Sequence, residues 1–176
     1  MNKAIAIMIM AMMIVGCGNE AKTENENEEV DLWITAWDFE TLFNQKAAAR
    51  NVPQLQLNIE FGTGDAKYTF GHKFQNTFYL MGEINPETRK IKTVSIIKNL
   101  ITKNKQAEMQ ASAVAFLIMV QALSPDLDSS ERAEILEKFL ESNKRYTSVI
   151  KDDVKYSQTF IDGGKTLMLS ATGVKK

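Results

Sequence analysis

Eight consecutive apolar residues at positions 113–120 constrain the fold of this chain more than any other segment. With the glutamines near both ends of this run, the pattern predicts a helix over about 105–123, stopped by Ser124 and Pro125. A helix that is apolar on all sides belongs in the centre of a core. Eight residues are also too few to cross a bilayer. The other elements are therefore expected to surround this helix.

The clearest alternation of apolar and polar residues lies at positions 55–61 and predicts a strand with one buried face. Its apolar members are Leu55, Leu57, Ile59 and Phe61. Three further strands are predicted over about 68–74, 78–84 and 90–98, with short runs of turn-forming residues between them. Short connections between successive strands favour an antiparallel meander.

Two more helices are predicted from their start signals. Thr35 and Asp38 have a spacing close to that of a capping box, and they precede a helix over about 36–50. Asp128 and Glu131 have the same spacing and begin another helix. The residues of this last helix that we expect to face inward are Leu136, Phe139 and Leu140.

Three short strands close the chain, over about 146–150, 154–160 and 165–172. The predicted order is α-ββββ-αα-βββ, which indicates an α+β fold. It has an antiparallel sheet of about six or seven strands and three helices packed mainly on one face. Residues 32–176 are expected to form a single domain. Because Cys17 is the only cysteine, no disulfide can form within the chain, and packing alone must stabilise the domain.

The first residues are organised like a secretory signal peptide. Lys3 supplies a positive charge, positions 4–15 are apolar, and a small residue precedes Cys17. The stretch Ile14-Val15-Gly16-Cys17 resembles the lipobox of bacterial lipoproteins, in which the peptidase cuts before the cysteine and the cysteine sulfur carries a diacylglycerol. The resemblance implies a signal peptide over 1–16, a lipidated Cys17 and a place in the bacterial cell envelope.

The resemblance also bears on how and where the chain is held. Twelve apolar residues are fewer than the roughly 20 that a spanning helix needs, whereas two or more acyl chains give stable anchoring. In the family, an aspartate directly after the cysteine retains the protein in the inner membrane. Gly18 stands there in this chain, so the resemblance favours the outer membrane if the source has one.

Residues 17–31 are predicted to form an acidic, flexible tether that begins with the lipidated cysteine. Positions 18–31 contain six acidic residues and one lysine, a net charge of −5. Such a segment cannot bury enough apolar surface to offset its ordering entropy. Positions 32–176 carry 19 basic and 16 acidic residues, a net charge of +3, which is too small to indicate nucleic-acid binding.

The residue types needed for common catalytic and metal sites are scarce. His72 is the only histidine and lies in the middle of a predicted aromatic strand, so a zinc site is not expected. The run Gly163-Gly164-Lys165-Thr166 lacks the earlier glycine of a phosphate-binding loop and predicts a hairpin turn. Asp152 and Asp153 fall in another turn that faces water. We therefore predict no catalytic residue, no metal and no cofactor.

A basic stretch is the most suggestive surface feature of the sequence. No acidic residue falls between Glu87 and Glu108, and the basic residues between them are Arg89, Lys90, Lys92, Lys98, Lys103 and Lys105. The strand positions of Lys90, Lys92 and Lys98 have the same parity, so they could share one face. Contact with anionic lipid or an acidic partner is one interpretation. The other is a solvated sheet face followed by a loop that enters a helix.

These observations favour a membrane-anchored accessory module that binds another envelope protein or a cell-wall component. The alternative is an envelope enzyme, of hydrolase type, whose carboxylates the sequence does not identify. An exposed apolar or aromatic sheet face would favour the binding module. A buried pocket holding two carboxylates with shifted pKa values would favour the enzyme.

Overall fold

The computed structural model describes residues 28–74, 78–100, 105–142 and 144–175, with the backbone alone for 105–111. Three helices lie in these ranges: α1 (Ala36–Ala49), α2 (Lys105–Leu123) and α3 (Ser129–Leu140). The strands are β1 (Glu29–Val30), β2 (Glu60–Phe61), β3 (Thr69–Phe74), β4 (Phe78–Ile84), β5 (Ile91–Asn99), β6 (Tyr146–Lys151), β7 (Val154–Ile161) and β8 (Thr166–Val174). The predicted cysteine anchor and Lys103 lie outside the described residues.

The strands form one antiparallel sheet in the order β2-β3-β4-β5-β8-β7-β6, and β1 pairs with β8 outside that order. The predicted α+β class and the predicted meander of β3, β4 and β5 are confirmed. The helices cover one face of the sheet, which we call the inner face. The core cluster takes side chains from that face in β3 through β8 and packs them against all three helices.

The central helix is buried along most of its apolar run, but not on all sides as predicted, because Val114 is 39% exposed. Phe116, Ile118, Met119 and Val120 have no exposed surface. Ser124 directly follows the last residue of this helix. Its amide still donates to the carbonyl oxygen of Val120 at 2.9 Å. Burial of so many apolar side chains on one helix makes α2 the principal source of hydrophobic stabilisation on the inner face.

Both predicted helix starts are confirmed. The amide of Asp38 donates to the Thr35 hydroxyl at 3.2 Å, which satisfies an otherwise unpaired amide of α1. Asp128 and Glu131 form a complete capping box at the start of α3. One inward residue of α3 was predicted wrongly, because Leu140 is 53% exposed and Ile135 is buried instead.

The segment predicted as the first strand is mostly not in the sheet. Only its last two residues form β2, and residues 53–55 make a 3-10 turn. The side chain of Asn44 in α1 accepts from the amide of Leu57 at 2.7 Å and donates to the carbonyl of the same residue at 2.8 Å. The apolar residues of this predicted strand are buried as far as Ile59, as the alternation predicted, but Phe61 is partly exposed. An amide side chain thus replaces a neighbouring strand.

The start of the domain also differs from the prediction. Strand β1 pairs antiparallel with the end of β8, and the Lys175 ammonium lies 2.8 Å from the Glu28 carboxylate. The side-chain amide of Asn85 donates to both carboxylate oxygens of Asp31, at 3.1 and 2.9 Å. Glu29 and Val30, assigned to the tether from composition, therefore belong to the sheet, and Glu28 and Asp31 on either side of them are held by the contacts above.

Candidate binding surface

The sheet face that points away from the helices is a candidate binding surface, and we call it the outer face. It consists of three cross-strand rows that run from β4 through β5, β8 and β7 to β6. No apolar side chain of these rows belongs to the core cluster of the described residues, but Ile97 and Ser170 in the middle of the face are buried. The three rows therefore form a sheet face that the described helices leave uncovered.

The first row is aromatic at both ends. The strand register places Tyr79, Ile97, Met168, Thr159 and Tyr146 side by side. The two tyrosines are 42% and 47% exposed. At about 4.8 Å per strand, four steps separate them by roughly 19 Å. Two exposed rings thus lie at the ends of the row, and the side chains between them are smaller.

The second row is made almost entirely of serines. Its members are Met81, Ser95, Ser170, Ser157 and Ser148. The hydroxyl oxygens of Ser95 and Ser170 lie 2.8 Å apart in a hydrogen bond. Each of these hydroxyls has a second lone pair or a proton with which it can bond to a ligand or to water.

The third row brings charge to one margin of the face. It contains Glu83, Thr93, Thr172, Lys155 and Ile150. The Thr172 hydroxyl donates to the Thr93 hydroxyl at 3.3 Å. Charged side chains are few on the outer face compared with hydroxyl, apolar and aromatic ones, a balance that suits recognition by hydrogen bonds and apolar contact.

A cleft of about 430 Å³ borders this charged margin. Its acidic residues are Glu29, Asp31 and Glu83, and its one basic residue is Lys92. The Lys92 ammonium lies 3.3 Å from the Glu83 carboxylate, and both side chains are about half exposed. Asp31 is occupied by Asn85, as described above. A general acid needs a carboxyl group in an apolar pocket, and this open, paired arrangement does not provide one.

The predicted basic stretch is divided by the structure. A bulge in β5 pairs Ile84 with Ile91 and Glu83 with Thr93, so that Lys92 is the extra residue. Beyond the bulge the parity is reversed: Lys98 pairs with the core residue Leu167 and projects from the inner face. Lys92 and Lys98 therefore lie on opposite faces, contrary to the shared face that their parity suggested.

The other members of that stretch lie at the ends of β5. Lys90 forms an isolated bridge with Thr35 at the start of α1. The guanidinium carbon of Arg89 lies 6.0 Å from the ring centroid of Tyr68. Lys105 begins α2, and its side chain is not among the described atoms. Among the members whose side chains are described, Arg89 lies beside an aromatic ring, and the next residue, Lys90, is bridged to the start of α1.

The residues examined for catalysis occupy structural positions. His72 lies in β3 with its ring against Phe74 at 4.5 Å, and its Nδ1 lies 2.9 Å from the carbonyl oxygen of Asn58. Asp152 has a positive φ in the turn between β6 and β7. Residues 162–164 form the turn between β7 and β8 that the sequence predicted. In the described part of the chain, no group of three His, Cys, Asp or Glu residues could hold a metal.

Two buried polar groups on the inner face have no counterpart in the sequence analysis. The hydroxyls of Tyr156 and Ser124 lie 2.8 Å apart, and burial raises the pKa of the Tyr156 phenol. The side-chain nitrogen of Gln158 is buried without a hydrogen-bond partner beside a very small apolar cavity under α2 and α3. Neither group reaches the outer face, because both alternate with its residues along β7.

The fold and this surface define a class: an α+β domain whose sheet is covered by helices on one face and open on the other. Comparison with protein-family models, with curated proteins and with solved structures gave no match. None of the helices in the described ranges combines the length and apolarity needed to span a membrane.

Proposed function

We propose that this chain is a lipid-anchored binding module of the bacterial envelope that holds another envelope component on its outer face. The observation that carries the proposal is the pair of exposed rings, Tyr79 and Tyr146, at the two ends of one cross-strand row on the face that the described helices do not cover. Exposed tyrosine side chains are enriched in protein interfaces. The serine row supplies hydrogen-bonding groups across the centre of the same face.

The partner that fits this face best is another protein. Tyrosine and methionine side chains are enriched in protein interfaces, where charged residues are depleted. The Lys73 ammonium lies 5.5 Å from the Tyr79 ring centroid at one edge of the face, whereas the centre of the face carries no charge and favours an uncharged part of the partner surface.

The anchor is proposed from the lipobox resemblance at Cys17. An acylated cysteine would hold the domain at a membrane and restrict its partners to components that reach that surface. Metabolic labelling with a fatty acid tests the anchor directly: we expect label on the wild-type chain and none on Cys17→Ser. Unlabelled wild-type protein of precursor length would contradict the anchor.

Site-specific photo-cross-linking tests the outer face. A photoreactive phenylalanine analogue replaces Tyr79 or Tyr146 in turn, and the matched control carries it at Leu140, which is equally exposed on α3. We expect a discrete cross-linked product from both tyrosine positions in intact cells and none from the control. The same products from all three positions, or from none, would contradict the proposal.

A further inference from the structure

We propose that the end of the sheet where the described chain begins docks on the lipid surface by inserting aromatic side chains into the membrane interface. This inference deepens the proposed function and rests on its lipid anchor. The aromatic end, as we call it, consists of Trp33, Trp37, Phe61 and Tyr68. It is separate from the outer face, which remains free for a protein partner.

The most exposed ring of the aromatic end belongs to a packed pair. Trp37 lies in the first turn of α1 and is 62% exposed, and Phe61 in β2 is 36% exposed. Their ring centroids are 4.9 Å apart. A pair that is already packed loses little side-chain freedom on insertion, which lowers the entropic cost of docking. Tryptophan is also a residue that the membrane–water interface favours.

Trp33 is prepared for an apolar environment in another way. Its ring is 52% exposed, whereas its neighbours Leu32 and Ile34 are buried and fix the backbone. Its indole nitrogen donates to the carbonyl oxygen of Leu123 at 2.6 Å. Because the only polar group of the ring is satisfied inside the protein, the ring can leave water without an unpaired donor.

The charges around this end do not favour anionic headgroups. Lys67 and Arg89 lie 5.0 and 6.0 Å from the ring centroid of Tyr68, and Lys90 is bridged to the start of α1. The acidic residues of the same segments outnumber these basic ones and are Asp31, Asp38, Glu60, Asp65 and Glu87. Insertion of aromatic rings, rather than attraction to anionic headgroups, is therefore the expected driving force.

The position of the anchor selects the lipid surface as the occupant. The described chain begins at Glu28, five residues before Trp33. Ten residues, 18–27, separate Glu28 from the proposed acylated cysteine, and the eleven steps from Cys17 to Glu28 span at most about 40 Å when the chain is fully extended. A membrane holding Cys17 thus stays within reach of the aromatic end.

Tryptophan fluorescence tests the docking, because Trp33 and Trp37 are the only tryptophans of the chain. The chain from Cys17 onward contains the whole described core and is coupled through its single thiol to a maleimide-bearing lipid. This coupling does not depend on whether cells acylate the cysteine. In vesicles of brominated phosphatidylcholine we expect the emission to be substantially quenched, because tryptophan rings favour the membrane–water interface. Emission equal to that in unbrominated vesicles would overturn the inference.

A double substitution separates docking from mere proximity. Trp37→Ser with Phe61→Ser should reduce the quenching of the remaining Trp33 at least about twofold, whereas Tyr79→Ser with Tyr146→Ser on the outer face should leave quenching unchanged. Circular dichroism confirms that both variants are folded. Equal quenching in both double variants, or quenching that requires anionic lipid, would overturn aromatic insertion. Absence of acylation in cells would contradict the proposed anchor and leave this measurement intact.

Discussion

The two faces of the sheet differ in what their side chains contact. Inner-face residues alternate with outer-face residues along the same strands, yet the first are buried under three helices and the second meet no helix of the described chain. In β7, Tyr156 is fully buried while its neighbour Ser157 is half-buried on the other side. The difference teaches that stability resides on the inner face, and that the outer face is available for recognition.

Removal of a ring from the inner face should have the largest effect. Phe116→Ala deletes a fully buried side chain that packs against Phe139 and Tyr156 at centroid distances of 5.5 and 6.0 Å. We expect a loss of about 3–5 kcal/mol in the free energy of unfolding. Met168→Ala on the outer face should cost less than about 1 kcal/mol. Urea denaturation measures both, and similar losses would contradict the one-sided core.

Alanine substitutions at two glycines on adjacent strands compare the packing of the two sheet faces more closely. A Cβ added at Gly82 would lie 2.2 Å from the ring of Phe70 on the inner face, whereas one added at Gly71 would lie 3.1 Å from the carbonyl oxygen of Leu80. Because Phe70 is buried, Gly82→Ala should destabilise the fold by about 1–3 kcal/mol. Gly71→Ala should destabilise it less. The reverse order in thermal unfolding would show that the inner face is loosely packed.

The buried hydroxyl pair gives a smaller effect. Tyr156→Phe leaves Ser124 without its partner and should cost about 1–2 kcal/mol. Adding Ser124→Ala to that variant removes the unpaired hydroxyl and should restore part of the stability. A double-mutant cycle by chemical denaturation measures the coupling energy between the two side chains. A coupling energy of zero would mean that the hydrogen bond contributes nothing.

The same tyrosine predicts a dependence on alkaline pH. Burial raises the pKa of Tyr156 in the folded state, so the folded protein holds that proton more tightly than the unfolded chain does. Its contribution to stability is therefore complete below pH 10, the ordinary phenol pKa, and is lost as the pH rises further. Urea midpoints from pH 9 upward should fall more steeply for wild type than for Tyr156→Phe. Parallel curves would contradict the cause assigned to the shift.

Much of the fold follows from local sequence patterns. The capping residues Thr35 and Asp128, the apolar run of α2 and the alternation of β4 determine elements through neighbours in the chain. The exceptions depend on distant contacts. Residues 56–59 alternate like a strand, but the side chain of Asn44 bonds to their backbone. An alternation of apolar and polar residues shows which side chains are buried, but it does not show which groups hydrogen-bond to the backbone.

The sequence predicted what kind of surface would mark a binding module, but not which residues form it. The sequence indicated that an exposed aromatic face would mark a binding module, but Tyr79 and Tyr146 are 67 positions apart and become ends of one row only through the order of five strands. The basic stretch failed as a shared face because one bulge residue, Lys92, reverses the parity of β5. Short polar strands carry no local signal for a bulge or for strand order.

Thiol labelling in intact cells tests most directly the claim that the outer face is occupied by a partner. When the proposed acylation blocks the Cys17 thiol, an engineered cysteine is the only free thiol of the chain. We predict that Met168→Cys reacts readily in the purified lipoprotein and is strongly protected in intact cells, whereas Leu140→Cys on α3 reacts in both. Equal labelling of Met168→Cys in cells and in purified protein would contradict the account.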